Sequence, residues 1–324
     1  MRSVLLILSV IVAGFFSMNV AVAAQWQMPL ANDARHFQTE LAMRFAKEVK
    51  LVTSGRVSIR PYPSGKLFKG EQIFGAVRND LVPIGARLMS ALERESLMLQ
   101  LDALPYLARS YLDSFKLYKA SKVQIDKILT VKGVKLLYAV PWPAQGLYSR
   151  VRLDSVAEFK GLKFRPYNDI TAEFGEKLGF LSVVVAANKL AKTLRRKQLD
   201  VMFGSSLAAS AYPLQKNFAY WYDIKAWRPK EMVVINLKQW QALSKEDRVA
   251  VLAVAKKVES QGWLRSKQVA EQSRARLINQ GVIVGEFSVE MQSEIESIGL
   301  SLVQQWLQKV GDPGRYLLER YLKL

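Results

Sequence analysis

The sequence predicts an α/β fold with mixed or parallel sheets, arranged in two domains that one long helix spans. Segments with the periodicity of strands and of helices alternate along the chain, which is typical of α/β architectures. The length of 324 residues is sufficient for two domains. The run 244–280 reads as a single helix of about 55 Å, which is longer than one small domain is wide.

The first half of the chain predicts a strand–helix alternation that ends near residue 143. Phe37, Leu41, Phe45 and Val49 are spaced four residues apart and therefore share one helix face. The predicted strands are 26–30, 57–61, 81–85 and 134–140, and the predicted helices are 33–53, 71–78 and 110–131.

A second α/β block begins near Gln145. Its predicted strands are 162–165, 181–185 and 199–203, its predicted helices are 169–178 and 187–197, and a further apolar strand is predicted at 232–236. Ser244 with Asp247 three residues later resembles a capping box, so it is a suitable start for the long helix.

The N-terminal 23 residues predict a cleaved signal peptide. Arg2 precedes an uncharged apolar run at 4–16, and Ala21 and Ala23 then form the small-x-small pattern of a cleavage site. An uncleaved anchor is the alternative. Arg2 is the only charged residue of this segment, so its removal would lower the formal charge from +19 to +18.

The composition excludes several kinds of chemistry. The chain has no Cys and one His, His36, so Cys-ligated metals, disulfides and multi-His metal sites are impossible, and no cofactor is predicted. Nucleotide-binding and nucleophile motifs such as GxGxxG and GxSxG are missing. We therefore expect no enzyme activity, with His36 at a surface or a cleft edge.

The excess of positive charge indicates an anionic partner without identifying it. The cations are spread along the chain rather than interleaved with aromatic residues, so no nucleic-acid binding is predicted. The aromatic cluster at 218–222 with Trp227 is typical of a core, although it could line a ligand pocket in a two-domain cleft.

Among the cationic residues, Arg165 is the strongest candidate for binding a ligand carboxylate. It ends an apolar strand beside a turn, where a guanidinium can form a two-pronged pair with a ligand carboxylate. A structural ion pair with Asp169, Glu173 or Glu176 is the alternative, and the spacing does not decide between them.

Several motifs resemble one known family. They are FAKEV at 45–49, TSGR at 53–56, YPSGKL at 62–67, LPYL at 104–107, SVAEFKGLKFR at 155–165 and LSKEDR at 243–248. In their order and spacing the chain resembles the dicarboxylate-binding (DctP-type) substrate-binding proteins of tripartite ATP-independent periplasmic (TRAP) transporters, over essentially its whole length after residue 23.

This resemblance implies a two-lobed periplasmic binding protein fold with hinge strands and a long helix across both lobes. It implies lobe 1 at 24–143 plus 231–270, and lobe 2 at 144–230 plus 271–324. It also implies that Arg165 pairs with a ligand carboxylate in the cleft between the lobes. We further expect ligand contacts from Gln145, Asn168, Trp227, Asn236 and His36.

The chain departs from the family pattern near this site. Many members carry a second arginine about twenty residues before the first, a position that falls near Gln145 or Gly146 here. The family's Arg-Val-Pro is Arg165-Pro166-Tyr167, and a common Asn corresponds to Gly204. The resemblance thus implies an organic-acid ligand while leaving its identity open.

The function expected from these residues is a monomeric periplasmic protein that captures a small carboxylate and delivers it to TRAP membrane subunits. A ligand-binding module for a sensor partner is the alternative. The residues themselves do not separate the two.

Overall fold

A computed structural model describes residues 24–185, 189–210 and 213–324. The signal peptide predicted for residues 1–23 lies outside these ranges. Within them, no helix is both long enough and apolar enough to cross a membrane.

The described ranges contain eleven strands and nine α-helices. The strands are β1 (Ala24–Pro29), β2 (Val57–Tyr62), β3 (Ile84–Leu88), β4 (Val134–Pro141), β5 (Gln145–Ser149), β6 (Lys163–Arg165), β7 (Leu181–Ser182), β8 (Val201–Ser205), β9 (Tyr220–Tyr222), β10 (Lys230–Asn236) and β11 (Ile283–Gly285). The helices are α1 (Phe37–Val52), α2 (Gly70–Arg78), α3 (Tyr111–Val131), α4 (Asp169–Lys177), α5 (Leu190–Arg195), α6 (Leu237–Gln241), α7 (Lys245–Asn279), α8 (Val289–Val310) and α9 (Asp312–Leu322).

The first lobe is built on two small sheets. β1 pairs with β2 in parallel, and β10 lies between β3 and β4 in an antiparallel sheet. The predicted face of α1 is buried, since Phe37, Leu41, Phe45 and Val49 all lie in the core. Helix α1 starts four residues later than predicted, because the side chain of His36 caps it by accepting the backbone N–H of Gln38.

The second lobe is built on one six-stranded sheet. Its strand order is β11-β9-β5-β8-β6-β7, with parallel and antiparallel pairs. Phe164, Phe174 and Phe203 pack against one another in its core, with ring centroids 5.0 Å apart for Phe164 and Phe203. The mixed sheets and the two lobes agree with the predicted fold class.

Two antiparallel segments connect the lobes. The first joins β4 to β5 through residues 142–144, and the second joins β9 to β10 through residues 223–229. The backbone N–H of Trp142 donates to the carbonyl of Pro229 at 2.8 Å, and that of Gln145 donates to the carbonyl of Trp227 at 2.9 Å. We refer to these two segments as the hinge.

Helix α7 connects the lobes a third time. Its 35 residues begin at Lys245, where the Ser244 hydroxyl accepts the Asp247 N–H at 3.0 Å. Val258 packs in the first lobe and Leu277 in the second, so the predicted spanning helix is confirmed. Gly262 permits close packing on β4, because a Cβ there would lie 2.4 Å from the Val140 side chain.

The structure differs from the sequence prediction at a few elements. The strand predicted at 81–85 is β3, three residues later, because a left-handed residue, Asp80, and an exposed Leu81 continue the turn after α2. Helices α8 and α9 were not predicted. The lobe boundaries stay a prediction, and Leu101 and Leu104, predicted in lobe 1, pack in the core of the second lobe.

Candidate functional site

Arg165 lies at the end of β6, between the second-lobe core and the hinge. Its neighbour Phe164 is fully buried and points into the core, so the alternating strand geometry directs Arg165 to the other face. Its Nε donates to the carbonyl of Val185 at 3.4 Å. The Arg165 side chain is half-buried, so salt screens a charge pair that it forms less than it screens a pair on the exposed surface.

The turn after β6 carries two further polar side chains. Tyr167 accepts a hydrogen bond from the indole Nε1 of Trp227 at 2.7 Å. The Asn168 Oδ1 caps α4 by accepting the Thr171 N–H at 3.0 Å. The Asn168 Nδ2 is buried and has no hydrogen-bond partner among the described residues, so it remains a donor for a bound molecule.

Glu93 connects this turn to the segment that follows β3. Its carboxylate accepts the backbone N–H of Asp169 at 3.2 Å and the side-chain amide of Gln100 at 3.3 Å. Burial raises the pKa of Glu93, and these hydrogen bonds partly oppose that shift. The Glu93 carboxylate is half-buried at the start of α4.

Arg87 and Glu231 are charged residues on the adjacent strands β3 and β10 of the first lobe, Arg87 half-buried and Glu231 buried. Burial lowers the pKa of Arg87 and raises the pKa of Glu231 to about 7, and each charge partly offsets the shift of the other. The Trp142 indole donates to the Glu231 carboxylate at 3.3 Å. The Arg87 Nε is buried without a partner in the described ranges.

His36 extends this group toward the start of α1. Its ring lies 4.6 Å from that of Trp142, centroid to centroid. Its Nδ1 accepts the Gln38 N–H at 3.3 Å, so the proton of the neutral ring is on Nε2, which is buried without a described partner. Burial lowers the pKa of His36 to about 4, although Asp33 opposes the shift, so the ring is neutral at pH 7.

A cavity of about 380 Å³ adjoins His36 at the border between the lobes. Asp33 and Arg35 line it from the start of α1, and Leu207 and Ser210 line it from the second lobe. Arg276 of α7 closes one side and donates to the Ser210 hydroxyl at 3.1 Å. His36 therefore lies between this opening and the more buried group around Trp142.

The charges of Glu93 and Arg165 influence the pKa values of neighbouring groups. Burial raises the pKa of Tyr167, and the charges of Arg165 and Glu93 also act on it. Glu93 acts in turn on Arg87.

The structure brings five of the six predicted site residues to the hinge or to the turns beside it: Arg165, Asn168, Trp227, His36 and Gln145. Gln145 lies in the hinge, where its side-chain amide donates to the Pro143 carbonyl at 3.2 Å. A side chain cannot be added at the neighbouring Gly146, because its Cβ would lie 2.5 Å from the Tyr222 carbonyl oxygen. The family's second arginine therefore has no place at that position.

Asn236 lies apart from the others, at the end of β10 remote from the hinge. Its Nδ2 donates to the carbonyl of Val77 at 2.9 Å, and its Oδ1 accepts the N–H of Lys238 at 2.9 Å. All of its hydrogen-bonding capacity thus serves to connect α2, β10 and α6, and the structure does not bring it to the cleft.

Sequence reasoning missed five residues of this group: Arg87, Glu93, Trp142, Tyr167 and Glu231. The available signal for Arg87 and Glu231 was a charged residue inside an apolar strand, because charged side chains are rarely buried unless they are paired or hydrogen-bonded. No group of three potential metal ligands occurs within the described ranges.

Two lobes, two crossing segments and a cleft lined from both sides define a two-lobed solute-binding protein. Residues 31–309 match the family described as bacterial extracellular solute-binding protein, family 7, with the family model DctP. The chain belongs to this family, and the predicted resemblance is confirmed.

Solved structures of similar proteins support the same assignment. One is a TRAP solute-binding protein from a marine metagenome, described as specific for pyroglutamate (33% identity, TM-score 0.89, covering 93% of this chain and 99% of that chain). DctP6 and DctP7 of Bordetella pertussis, described as extracytoplasmic solute receptors binding pyroglutamic acid, are 30% and 29% identical, each with a TM-score of 0.89. They cover 93% and 92% of this chain, and 100% and 99% of their own lengths. These findings favour the transporter hypothesis over the sensor alternative.

Proposed function

We propose that this protein captures a small organic acid in the cleft and delivers it to the membrane subunits of a TRAP transporter. The observation that carries the proposal is the half-buried Arg165 at the end of β6, beside a turn that Trp227 of the hinge contacts through Tyr167 and that Glu93 contacts through the Asp169 N–H. A desolvated arginine binds a carboxylate with two parallel hydrogen bonds and so fixes its orientation.

The first ligand to test is pyroglutamate, because the three similar receptors are described as binding it. In this proposal Arg165 pairs with the carboxylate. The Asn168 Nδ2 and the His36 Nε2–H, two donors without a partner among the described residues, are available to the amide carbonyl of the ring. Asn236 is left out of the proposed site because its side chain is fully used elsewhere.

The proposal includes a location and a working cycle. The apolar segment at 4–16 with its cleavage pattern supports export to the periplasm, and we propose a monomer without enzymatic activity. Ligand bound between the lobes favours the closed form by its higher affinity for that form.

Calorimetric titration with pyroglutamate, glucuronate, gulonate and orotate tests the proposal. We expect at least one acid to bind the wild-type protein and Arg165→Lys to weaken it at least about 30-fold, since one point charge replaces a fork of donors in a desolvated pair. Arg152→Lys is the matched control, because Arg152 is exposed and pairs with Asp154. Binding of no acid, or equal affinity of the Arg165→Lys variant, would contradict the proposed function.

A further inference from the structure

Part of the positive charge that the ligand site leaves unexplained lies at one end of the second lobe. Residues 177–199 contain six Lys and Arg and no Asp or Glu. We define the basic pole as Arg150, Lys163, Lys192, Arg195, Arg196 and Lys197. All are exposed except Arg150, which is half-buried, and none of the six forms an ion pair within the described residues.

Backbone contacts bring these cations together from three elements. The Arg150 Nη1 donates to the Lys197 carbonyl at 2.9 Å, which joins the end of β5 to the end of α5. Lys163 and Arg150 both bond to Asp200, the one acidic residue amid the pole. The Asp200 carboxylate accepts the Lys163 N–H at 2.9 Å, so it is already engaged by the backbone.

The basic pole lies at the end of the sheet remote from the hinge. In the β5–β8 pair, Gln145 at the hinge faces Ser205, whereas Ser149 next to the pole faces Val201. Apolar side chains are exposed near it, with Val151 50% and Leu181 54% accessible. A diffuse group of cations beside small apolar side chains suits a surface of anionic headgroups, which requires no matched geometry.

We propose that the basic pole binds anionic phospholipid headgroups and so holds the protein at the membrane surface by its second lobe. The net charge of the whole chain adds a general attraction, whereas the pole determines which part of the molecule faces the lipid. Only charges within about a Debye length of 8–10 Å from the bilayer contribute strongly at physiological salt.

Sedimentation with vesicles of 30% phosphatidylglycerol in phosphatidylcholine tests the proposal. We expect the wild-type protein to bind these vesicles and not pure phosphatidylcholine, and to dissociate at 0.5 M salt. The variant Lys192→Glu/Arg195→Glu/Arg196→Glu should lower the partition coefficient at least about tenfold. Lys119→Glu/Lys127→Glu/Lys256→Glu is the matched control, because it changes the net charge equally at exposed positions elsewhere, and it should stay within about threefold of wild type.

An equal fall of the partition coefficient in both variants would overturn the proposal, because the net charge alone would then explain the binding. Wild-type binding by the pole variant would also overturn it. A third outcome would also overturn the proposal. If the pole matters only for binding to vesicles of neutral lipid that contain the transporter subunits, the pole recognises a protein partner and not lipid.

Thermal unfolding and acid titration of the same variants show that fold and cleft are intact. Lys192→Gln/Arg195→Gln/Arg196→Gln provides a milder variant with an intermediate loss expected. A failure here leaves the Arg165 site untouched, since the two readouts are separate.

Discussion

The indole Nε1 of Trp227 lies 2.7 Å from the hydroxyl oxygen of Tyr167 and donates a hydrogen bond to it. Trp227 belongs to the hinge, and Tyr167 follows Arg165 by two residues. This single bond therefore connects the hinge to the turn that follows the proposed carboxylate-binding arginine.

Trp227→Phe keeps the aromatic packing against Phe174 and Phe203 but removes this bond. We expect a stability loss of about 1 kcal/mol and a three- to tenfold weaker affinity for pyroglutamate, because the Tyr167 turn is no longer fixed. Trp221→Phe is the control, since it removes an indole bond of 3.1 Å to Gly204 within the same lobe. It should lose similar stability in chemical denaturation without losing affinity; equal affinity losses would refute a positioning role for Trp227.

Arg87 should contribute to ligand affinity from the first lobe. Arg87→Met removes the cation beside the buried Glu231, and we expect at least about tenfold weaker acid binding by calorimetry. Arg60→Met, an exposed arginine of the same lobe, should bind as the wild type does. An unchanged affinity of the Arg87 variant would remove this residue from the site.

Glu231 should make the folded state less stable as pH rises. Its pKa is raised by burial to about 7 from an ordinary value of 4.5, so between these values the folded protein holds a proton that the unfolded chain has released. Stability from this group is therefore lost as pH rises through about 4.5 to 7, by at most on the order of 3 kcal/mol.

The variant Glu231→Gln should abolish this dependence. The difference between the unfolding temperature of the variant and that of the wild type should become more positive from pH 5 to pH 8, as measured by differential scanning calorimetry. Glu286→Gln, an exposed carboxylate, is the control and should show no comparable trend. A parallel pH dependence in wild type and Glu231→Gln would exclude this origin.

His36 should remain neutral throughout the physiological range. Its pKa is lowered from 6.5 to about 4, mainly by burial, so the unfolded chain binds a proton first and stability is lost as pH falls through that window. Because the chain contains a single His, ¹⁵N-edited NMR reports on this ring without ambiguity. We expect the Nε2–H tautomer and no titration between pH 5.5 and 8; a midpoint near 6.5 would show that the ring is solvated.

Local periodicity was sufficient to predict most elements. The four-residue spacing from Phe37 to Val49 and the uninterrupted run after Ser244 gave α1 and α7 close to their observed bounds, because an amphipathic helix needs only a regular apolar face. The start of α1 was placed too early, since the cap depends on which side chain bonds the free N–H groups.

The sequence by itself determined the α/β class, the spanning helix, the family and the choice of Arg165, since these depend on periodicity and on motif order. Only the tertiary structure decided that Asn236 caps a helix remote from the cleft and that Gln145 bonds within the hinge. It also decided that Arg87 and Glu93 are half-buried and that Glu231 is buried. The physical reason is that a site joins side chains from distant segments of the chain. The role of each charge depends on its burial and on its hydrogen-bond partners, and the spacing of residues in the sequence encodes neither.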